Sequence, residues 1–314
     1  MKILVTGGAG YIGSILCEHL LQSGHDVTVL DNLMYGPGSL FHLAHNPKFH
    51  FIKGDARDVL LMSKLILQAD VIIPLAAIVG APACNANLET ASINYTAITT
   101  IARYAASPQL IIYPTTNSGY GTQADGVVCT EDTRLTPISV YGRTKSDAEA
   151  YLLNNHANTI TLRLATVFGC SPRMRLDLLV NDFTYKALTD KYIALYEPHF
   201  VRNYVHIRDV ADCFIHCIEK ENEKENEMRG RAYNVGLDSA NISKGALAEK
   251  IKTHLPDFDI SYIGDGKDPD QRNYIVSNQR LREAGFEATR TLDQGIEELI
   301  KGYKMMGRSR YQNA

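Results

Sequence analysis

The chain has 314 residues, a formal net charge of −3 and an ordinary balance of apolar and charged side chains, enough to bury a large core in one large domain or two fused lobes. A charge so near neutral, with no basic stripe before the short stretch Lys301 to Arg310, excludes an electrostatic footprint for nucleic acid, and that stretch reads as a solvated end. The most apolar run, Val71 to Ala83, is too short to span a bilayer and is broken by Pro74 and Gly80, so no membrane partner is expected.

From Lys2 the sequence enters a short strand-like run, Ile3 to Thr6, with no room for a secretory signal, which predicts a cytoplasmic protein. The segment Gly7-Gly8-Ala9-Gly10-Tyr11-Ile12-Gly13 follows at once and opens an amphipathic pattern from Ile12 to Gln22. Strand, glycine loop and helix in that order are the context that makes the spacing a dinucleotide site. Gly7 permits the tight turn, Gly10 lets the backbone approach a pyrophosphate, and Gly13 lets helix and strand pack closely. The unpaired amides of the helix N-terminus then face the phosphates. A second run, Val27 to Leu30, ends at Asp31, where a carboxylate accepts hydrogen bonds from the adenosine ribose and repels a 2′-phosphate, predicting NAD rather than NADP. The bland alternative is that Asp31 and Asn32 only cap a turn. After a third run, Phe49 to Lys53, Asp55 is placed to meet the adenine edge, and Asp58 is expected to cap a helix.

Further runs at Val71 to Ile73, Leu110 to Tyr113 and Thr159 to Leu164 alternate with helical patterns at Asn94 to Ala105 and Ser146 to Asn154. This is the signature of an α/β protein with a doubly wound parallel sheet covered by helices on both faces. Beyond Thr166 the alternation fades, and the helical patterns Asp177 to Thr189, Ala246 to Thr253 and Leu292 to Lys304 predict a smaller C-terminal lobe over the carboxyl edge of the sheet. Six cysteines show no C-x-x-C spacing; Cys213 and Cys217, beside Phe214 and Ile218, read as helix core. The polar run Glu219 to Glu227 reads as an exposed loop or frayed helix end. His206 and Asp209 lack further ligands nearby and are expected to order a strand-to-helix turn, so no metal site is assigned.

The most informative pair is Tyr141 and Lys145. Four residues apart on a helix, they share one face, so an ammonium can sit beside a phenol and favour its ionised form. A phenol that ionises near neutral pH is a general base, and behind a dinucleotide loop it points to nicotinamide chemistry on an alcohol.

The stretches VTGGAGYIG, LDNL, GDARD, PLAA, INYTA, YPTTNSGYG, YGRTK, LRLATVFG and RNYVHIRDVA, in order along nearly the whole chain, resemble the extended short-chain dehydrogenase/reductase family in its nucleotide-sugar epimerase/dehydratase branch. The resemblance implies a Rossmann NAD-binding domain over residues 1–166, with 201–236 returning to it, and a substrate-binding lobe from 167–200 and 237–314. It also implies a homodimer through two exposed helices and a substrate in which a sugar is linked to a nucleoside diphosphate. The family triad falls on Thr116, Tyr141 and Lys145. The implied cofactor contacts add Tyr11, Ile12, Asn32, Ala56, Leu75, Ala76, Ala77 and Asn94 to Gly7, Gly10, Gly13, Asp31 and Asp55.

Two departures from the family pattern narrow the chemistry. The 4,6-dehydratases carry aspartate and glutamate after the threonine, where this chain has Asn117 and Ser118, neither able to serve as a carboxylic acid or base, so dehydration is disfavoured. Many 4-epimerases have an asparagine after the sixth strand, where this chain has Thr166 and then SPRMRLDLLVNDF; Arg173, Arg175 and Asn181 there supply donors for phosphate or sugar. Arg202 matches a diphosphate contact, and Arg272 is a candidate second clamp. This segment, with IIPLAAIVGAPAC and TTNSGYG, is similar to C4 dehydrogenases of GDP-linked heptoses from capsule pathways. The implied reaction is oxidation at C4 of a nucleotide sugar. A 4-epimerase shares the same first half-reaction; a cofactor-binding scaffold and a dehydrogenase of an apolar alcohol are the readings from other classes.

Overall fold

Runs of β-branched residues without polar alternation need cover on both faces, and this chain supplies it. The computed structural model describes residues 1–124, 126–221, 227–264 and 272–306. The first half comprises β1 (Lys2–Thr6), α1 (Tyr11–Gln22), β2 (Asp26–Asp31), β3 (Phe49–Lys53), α2 (Val59–Ile66), β4 (Val71–Pro74), α3 (Ala81–Ala86), α4 (Ala97–Tyr104), β5 (Leu110–Thr116), β6 (Val128–Cys129), α5 (Val140–Asn155) and β7 (Thr159–Leu164). The second half adds β8 (Thr166–Phe168), α6 (Leu179–Thr189), β9 (Tyr192–Tyr196), β10 (Val201–His206), α7 (Ile207–Glu221), β11 (Arg231–Val235), β12 (Asn241–Ser243), α8 (Lys244–His254), β13 (Asp259–Ile263), β14 (Ile275–Val276), α9 (Gln279–Glu283) and α10 (Leu292–Met305).

Seven strands form one sheet in the order β11-β7-β5-β4-β1-β2-β3, with every pairing parallel. All of β4 and nearly all of β5 are buried, as a doubly covered sheet requires. On one face Ile15, Leu16 and Leu20 of α1 share a core with Val210, Phe214 and Cys217 of α7. On the other, Met62, Ile98, Ile101, Ala148 and Leu152 from α2, α4 and α5 cover Leu4, Ile72 and Ile111. Strand order reverses between β1 and β4, β2 and β3 being added on one side and β4, β5 and β7 on the other, and the crevice beyond their carboxyl ends is where an open α/β sheet takes its ligand.

Helix α5 starts well before the predicted Ser146. Ser139 caps it, its hydroxyl accepting from Gly142 N at 3.0 Å, which places Tyr141 in the first turn, on one helix with Lys145. Asp58 caps α2 as expected, accepting from Leu61 N at 3.0 Å. The helix predicted from Asn94 begins instead as a wide π turn over Ser92–Thr96 before α4. In the second half β12, β10 and β8 form a small sheet, β13 pairs with β9 and β14 with β6. Val180, Phe183, Leu247, Ile296 and Tyr303 of that half join the same buried cluster as Ile15 and Val210, so its core is continuous with one face of the large sheet.

One expectation at the C-terminus needs correction. Lys301 to Met305 is the last turn of α10, and Tyr303 there is buried, its hydroxyl donating to Asn181 O at 3.0 Å; an apolar face docked on α6 holds this turn, and only 307–314 lie outside the described residues. Of the polar run, Glu219 to Glu221 close α7, while 222–226 are outside the described residues. Cys213 and Cys217 are buried free thiols in the core. No helix among the described residues is long and apolar enough to cross a membrane.

Candidate active site

A cavity of about 940 Å³ occupies the crevice at the switch point. Its floor is the glycine loop, and the turn after β4, Leu75 to Ala77, forms the opposite wall. These two loops touch so closely that a Cβ on Gly7, whose φ is +74°, would lie 2.5 Å from Ala76 N; within the glycine loop itself, one on Gly13 would lie 2.6 Å from Gly7 O. Gly10, the N-cap of α1, has no side chain to occupy the first-turn amides, so these remain for an anion. The cradle is shaped for a pyrophosphate passing over backbone, which meets the requirement of a dinucleotide.

At the far end of the cavity Asp31 is fixed by backbone, Oδ2 accepting from Ala9 N at 2.9 Å and Oδ1 from Leu33 N at 2.7 Å. Each oxygen keeps a lone pair for a ribose hydroxyl. Asn32 and Ala56 line the same end. Asp55 also lines it, but its carboxylate is gripped by Arg57 through Nε at 3.0 Å and Nη2 at 2.7 Å, and this partner holds it below the usual carboxylate range. Asn94 does not line the cavity: it is buried behind the wall, exchanging hydrogen bonds with Ile78 N at 2.9 Å and Ile78 O at 2.8 Å, and so sets the path of the turn after β4.

The segment after β8 crosses over the start of α1. Tyr11 Oη donates to Gly169 O at 2.7 Å, and Ser171 Oγ donates to Tyr11 O at 2.8 Å. Asn181 completes this stitching and is corrected here from a substrate donor to a buttress: it is fully buried, with Oδ1 taken by Gly169 N at 3.1 Å and Nδ2 by Arg175 O at 2.9 Å and Tyr11 Oη at 3.2 Å. The same segment delivers Arg173, Arg175 and Asp177 to the cavity wall. Arg173 stacks its guanidinium 3.8 Å from the ring centre of Tyr35, on the loop after β2, so it stands toward the cofactor side. Arg175 pairs with Asp177.

Tyr141 and Lys145 both line this cavity, and Thr116, the last residue of β5, stands near enough to the phenol to favour its ionised form. Burial raises the Tyr141 phenol above its ordinary value, and the largest opposing charges are Arg175 and then Arg272. Lys145 takes a different neighbour from the one expected. Its ammonium lies 4.0 Å from the ring centre of Tyr113, the buried aromatic at the middle of β5, and burial pushes it down to about 7, with Glu149 opposing. The pairing of ammonium and phenol read from their spacing is therefore a shared wall rather than a direct contact, because the apolar sheet surface beneath Lys145 offers a π face to its charge.

On the substrate side the chain turns tightly after β5. Thr116 Oγ1 accepts from Ser118 N at 3.1 Å and donates to Ser118 Oγ at 2.9 Å. Ser118 and Asn117 are buried, and neither amide atom of Asn117 has a hydrogen-bond partner among the described residues. Arg272 Nη1 donates to Ser118 Oγ. Arg202, on β10, is also buried, with its guanidinium 5.7 Å from the ring centre of Tyr274 and donating to Val201 O at 3.0 Å. Thr166 sits on β8 opposite Tyr204 of β10. Thr116, Arg202, Arg272, Asn117, Ser118 and Thr166 thus lie outside the lining of the dinucleotide cavity.

His206 Nε2 meets Glu298 at 2.9 Å, and Asp209 accepts from Arg290 N at 2.9 Å and from its guanidinium, so His206 ties the end of β10 to α10 and Asp209 ties α7 to the segment leading into α10. Three neighbours escaped the sequence reading. Tyr113 lay in a run read as strand core, and Tyr35, on the loop after β2, carries no local signal. Glu149 was legible, since it continues the spacing of Tyr141 and Lys145 one turn further along α5.

The profile of the NAD dependent epimerase/dehydratase family matches residues 3–236. The chain belongs to that family. It is 30% identical to the UDP-glucose 4-epimerase of Lactobacillus helveticus over 90% of both chains. It is 28% identical to the low-salt glycan biosynthesis protein Agl12 of Haloferax volcanii over 96% of this chain and 98% of the relative. Among solved structures, the dTDP-glucose 4,6-dehydratase of Bacillus anthracis in complex with NAD superposes with a TM-score of 0.81 at 25% identity, covering 97% of each chain. The family is NAD-dependent, in agreement with the cradle and with Asp31.

Proposed function

We propose that the protein oxidises a secondary hydroxyl, O4, of a nucleoside-diphosphate sugar and releases the 4-keto product, with a GDP-linked heptose as the favoured substrate. The observation that carries the reading is Tyr141 and Lys145 on the wall of a dinucleotide cavity, with Thr116 beside the phenol and no carboxyl side chain at Asn117 or Ser118. NAD, when bound, is the acceptor for the hydride that leaves the carbinol carbon. Tyr141 takes the hydroxyl proton as that carbon is oxidised, and Thr116 holds the oxygen in line. Lys145 keeps positive charge on the wall where the phenolate forms. The unpartnered carboxamide of Asn117 is a donor and acceptor that a sugar hydroxyl would satisfy; left alone it costs about 1–3 kcal/mol. The heptose assignment rests on the similarity of the Ser171 to Phe183 segment to GDP-heptose C4 dehydrogenases.

Purified protein incubated with GDP-, UDP-, dTDP- and CDP-linked hexoses and heptoses, followed by NADH absorbance and product mass, tests this. The expected outcome is NADH accumulation and a product lighter by two hydrogens, fastest with the GDP-heptose. An isomer of unchanged mass without accumulating NADH identifies a 4-epimerase. A product lighter by one water overturns the reading of Asn117 and Ser118.

Arg173 is proposed to contact the cofactor diphosphate rather than the sugar, because it stacks on Tyr35 beside the ribose end of the cavity. Arg173→Ala is expected to weaken NAD about tenfold by calorimetry while leaving the affinity for the nucleoside diphosphate within about twofold, since a cation–π contact with a charged hydrogen bond is worth about 1–2 kcal/mol. Equal losses for both ligands would return Arg173 to the substrate.

A further inference from the structure

Arg173 and Arg175 leave the segment after β8 toward different walls of the cavity. Arg173 goes to Tyr35, whereas Nη2 of Arg175 lies 4.0 Å from where a Cβ on Gly80 would stand, just before α3. Gly80 lines the cavity too, and α3 packs on α5, the helix of Tyr141 and Lys145, so Arg175 stands at the end of the cavity where the proposed oxidation takes place. The main chain beneath the guanidinium is held, Arg175 O accepting from the buried Asn181 Nδ2 at 2.9 Å.

The guanidinium is not a bare cation. Its Nε donates to Asp177 Oδ1 at 3.2 Å and its Nη2 to Oδ2 at 2.5 Å, a two-point pairing between residues that both line the cavity. Burial pushes the Asp177 carboxyl up, but Arg175 overrides it and holds the group below its ordinary value, so both partners are charged at neutral pH. An arginine carries five N–H groups. Two are given to Asp177, and the other three have no partner among the described residues. The pair therefore offers a ligand donors without net charge. Hydroxyl oxygens suit such donors. A carboxylate placed there finds the attraction of Arg175 offset by the repulsion of Asp177, and still gives up its hydration. We propose that Asp177 is a specificity-determining residue: by neutralising Arg175 it makes this end of the cavity a site for the hydroxyls of an uncharged sugar and turns away sugars that carry a carboxylate. This deepens the proposed function and rests on it for a sugar as the occupant.

Equilibrium binding tests this apart from catalysis. Calorimetry on the NAD-loaded protein with UDP-glucose against UDP-glucuronic acid, and GDP-mannose against GDP-mannuronic acid, compares an uncharged with a carboxylated sugar on one base. The wild type should hold the uncharged member of a pair about tenfold more tightly. In Asp177→Asn the guanidinium loses its counterion, and the ratio should move about tenfold or more toward the carboxylated sugar, a gain that fades as salt is raised. Asp177→Glu keeps the charge and should keep the wild-type preference, and adding Arg175→Gln to Asp177→Asn should erase the gain. Arg175→Gln alone should weaken the uncharged sugar about tenfold, which carries the test if Asp177→Asn does not fold. A wild type that prefers the carboxylated sugars overturns the proposal, as does a folded Asp177→Asn with an unmoved ratio. So does Arg175→Gln that weakens NAD while leaving the uncharged sugar within about twofold, since the pair then belongs to the cofactor. Oxidation of nucleotide sugars with an unmoved ratio sinks this proposal alone; the expected binding ratios without any NADH formed sink the proposed oxidation and leave the role of Asp177 standing.

Discussion

Tyr141→Phe is expected to lower kcat by about 10³–10⁴ while NAD affinity changes less than about twofold, because the substitution removes one proton acceptor and no packing volume. The phenol is half-buried in the first turn of α5, where a phenylalanine ring fits the same space. Burial raises Tyr141, so in the wild type the phenolate fraction climbs with pH, and kcat/KM climbs with it up to the neutral range, where Lys145 at about 7 begins to lose its charge. Tyr141→Phe should flatten that climb along with the rate. Thr116→Ala, which leaves the base but removes its hydroxyl neighbour, should cost less, about 10–10²-fold. Stopped-flow measurement of the first turnover checks both, since it separates the chemical step from product release. A Tyr141→Phe protein that retained the wild-type rate and pH profile would remove the phenol from the mechanism and, with it, the case for proton abstraction at O4.

The parts of the site legible in the sequence are those written by local chemistry. Gly7, Gly10 and Gly13 announce a backbone cradle because a side chain would collide there, and Asp31 announces its role by ending a strand beside it. Six of the seven strands of the large sheet are marked by β-branched composition, β11 being the one not read, and the structure moves the ends of the six by a few residues. What local reading missed depends on partners distant in sequence. Asn181 looked like a free donor because nothing nearby in the chain shows that Gly169, Arg175 and Tyr11 consume it. Lys145 looked like the neighbour of the Tyr141 oxygen because helical spacing places two Cα atoms on one face but does not fix where a four-carbon stem points; the Tyr113 ring decides that. The small sheet of β8, β10 and β12 was not resolved into strands because each strand is short and its pairings are non-local.

Glu149 and Arg163 form a buried pair, with Arg163 Nη2 at 2.6 Å and Nε at 3.0 Å from Glu149, while Arg163 Nη1 donates to Tyr120 Oη at 3.1 Å and Glu131 O at 2.9 Å. The pair joins α5 to β7 directly below Lys145, so it fixes the helix face that carries Tyr141 and Lys145. Arg163→Met leaves a buried carboxylate without its counterion and should cost about 3–5 kcal/mol, lowering Tm by roughly 5–10 °C. Adding Glu149→Gln should restore most of that stability, because the uncompensated charge, rather than the lost attraction, is the greater cost. Activity should not return with it. Glu149 is the main influence holding the Lys145 ammonium charged against burial, and without it Lys145 falls below its value of about 7. A lysine is charged below its pKa, so in Glu149→Gln and in the double variant the alkaline loss of activity begins at lower pH, narrowing the profile from that side while its acidic limb, set by Tyr141, stays in place. Recovery of both Tm and the wild-type pH profile in the double variant would show that the pair serves the fold alone.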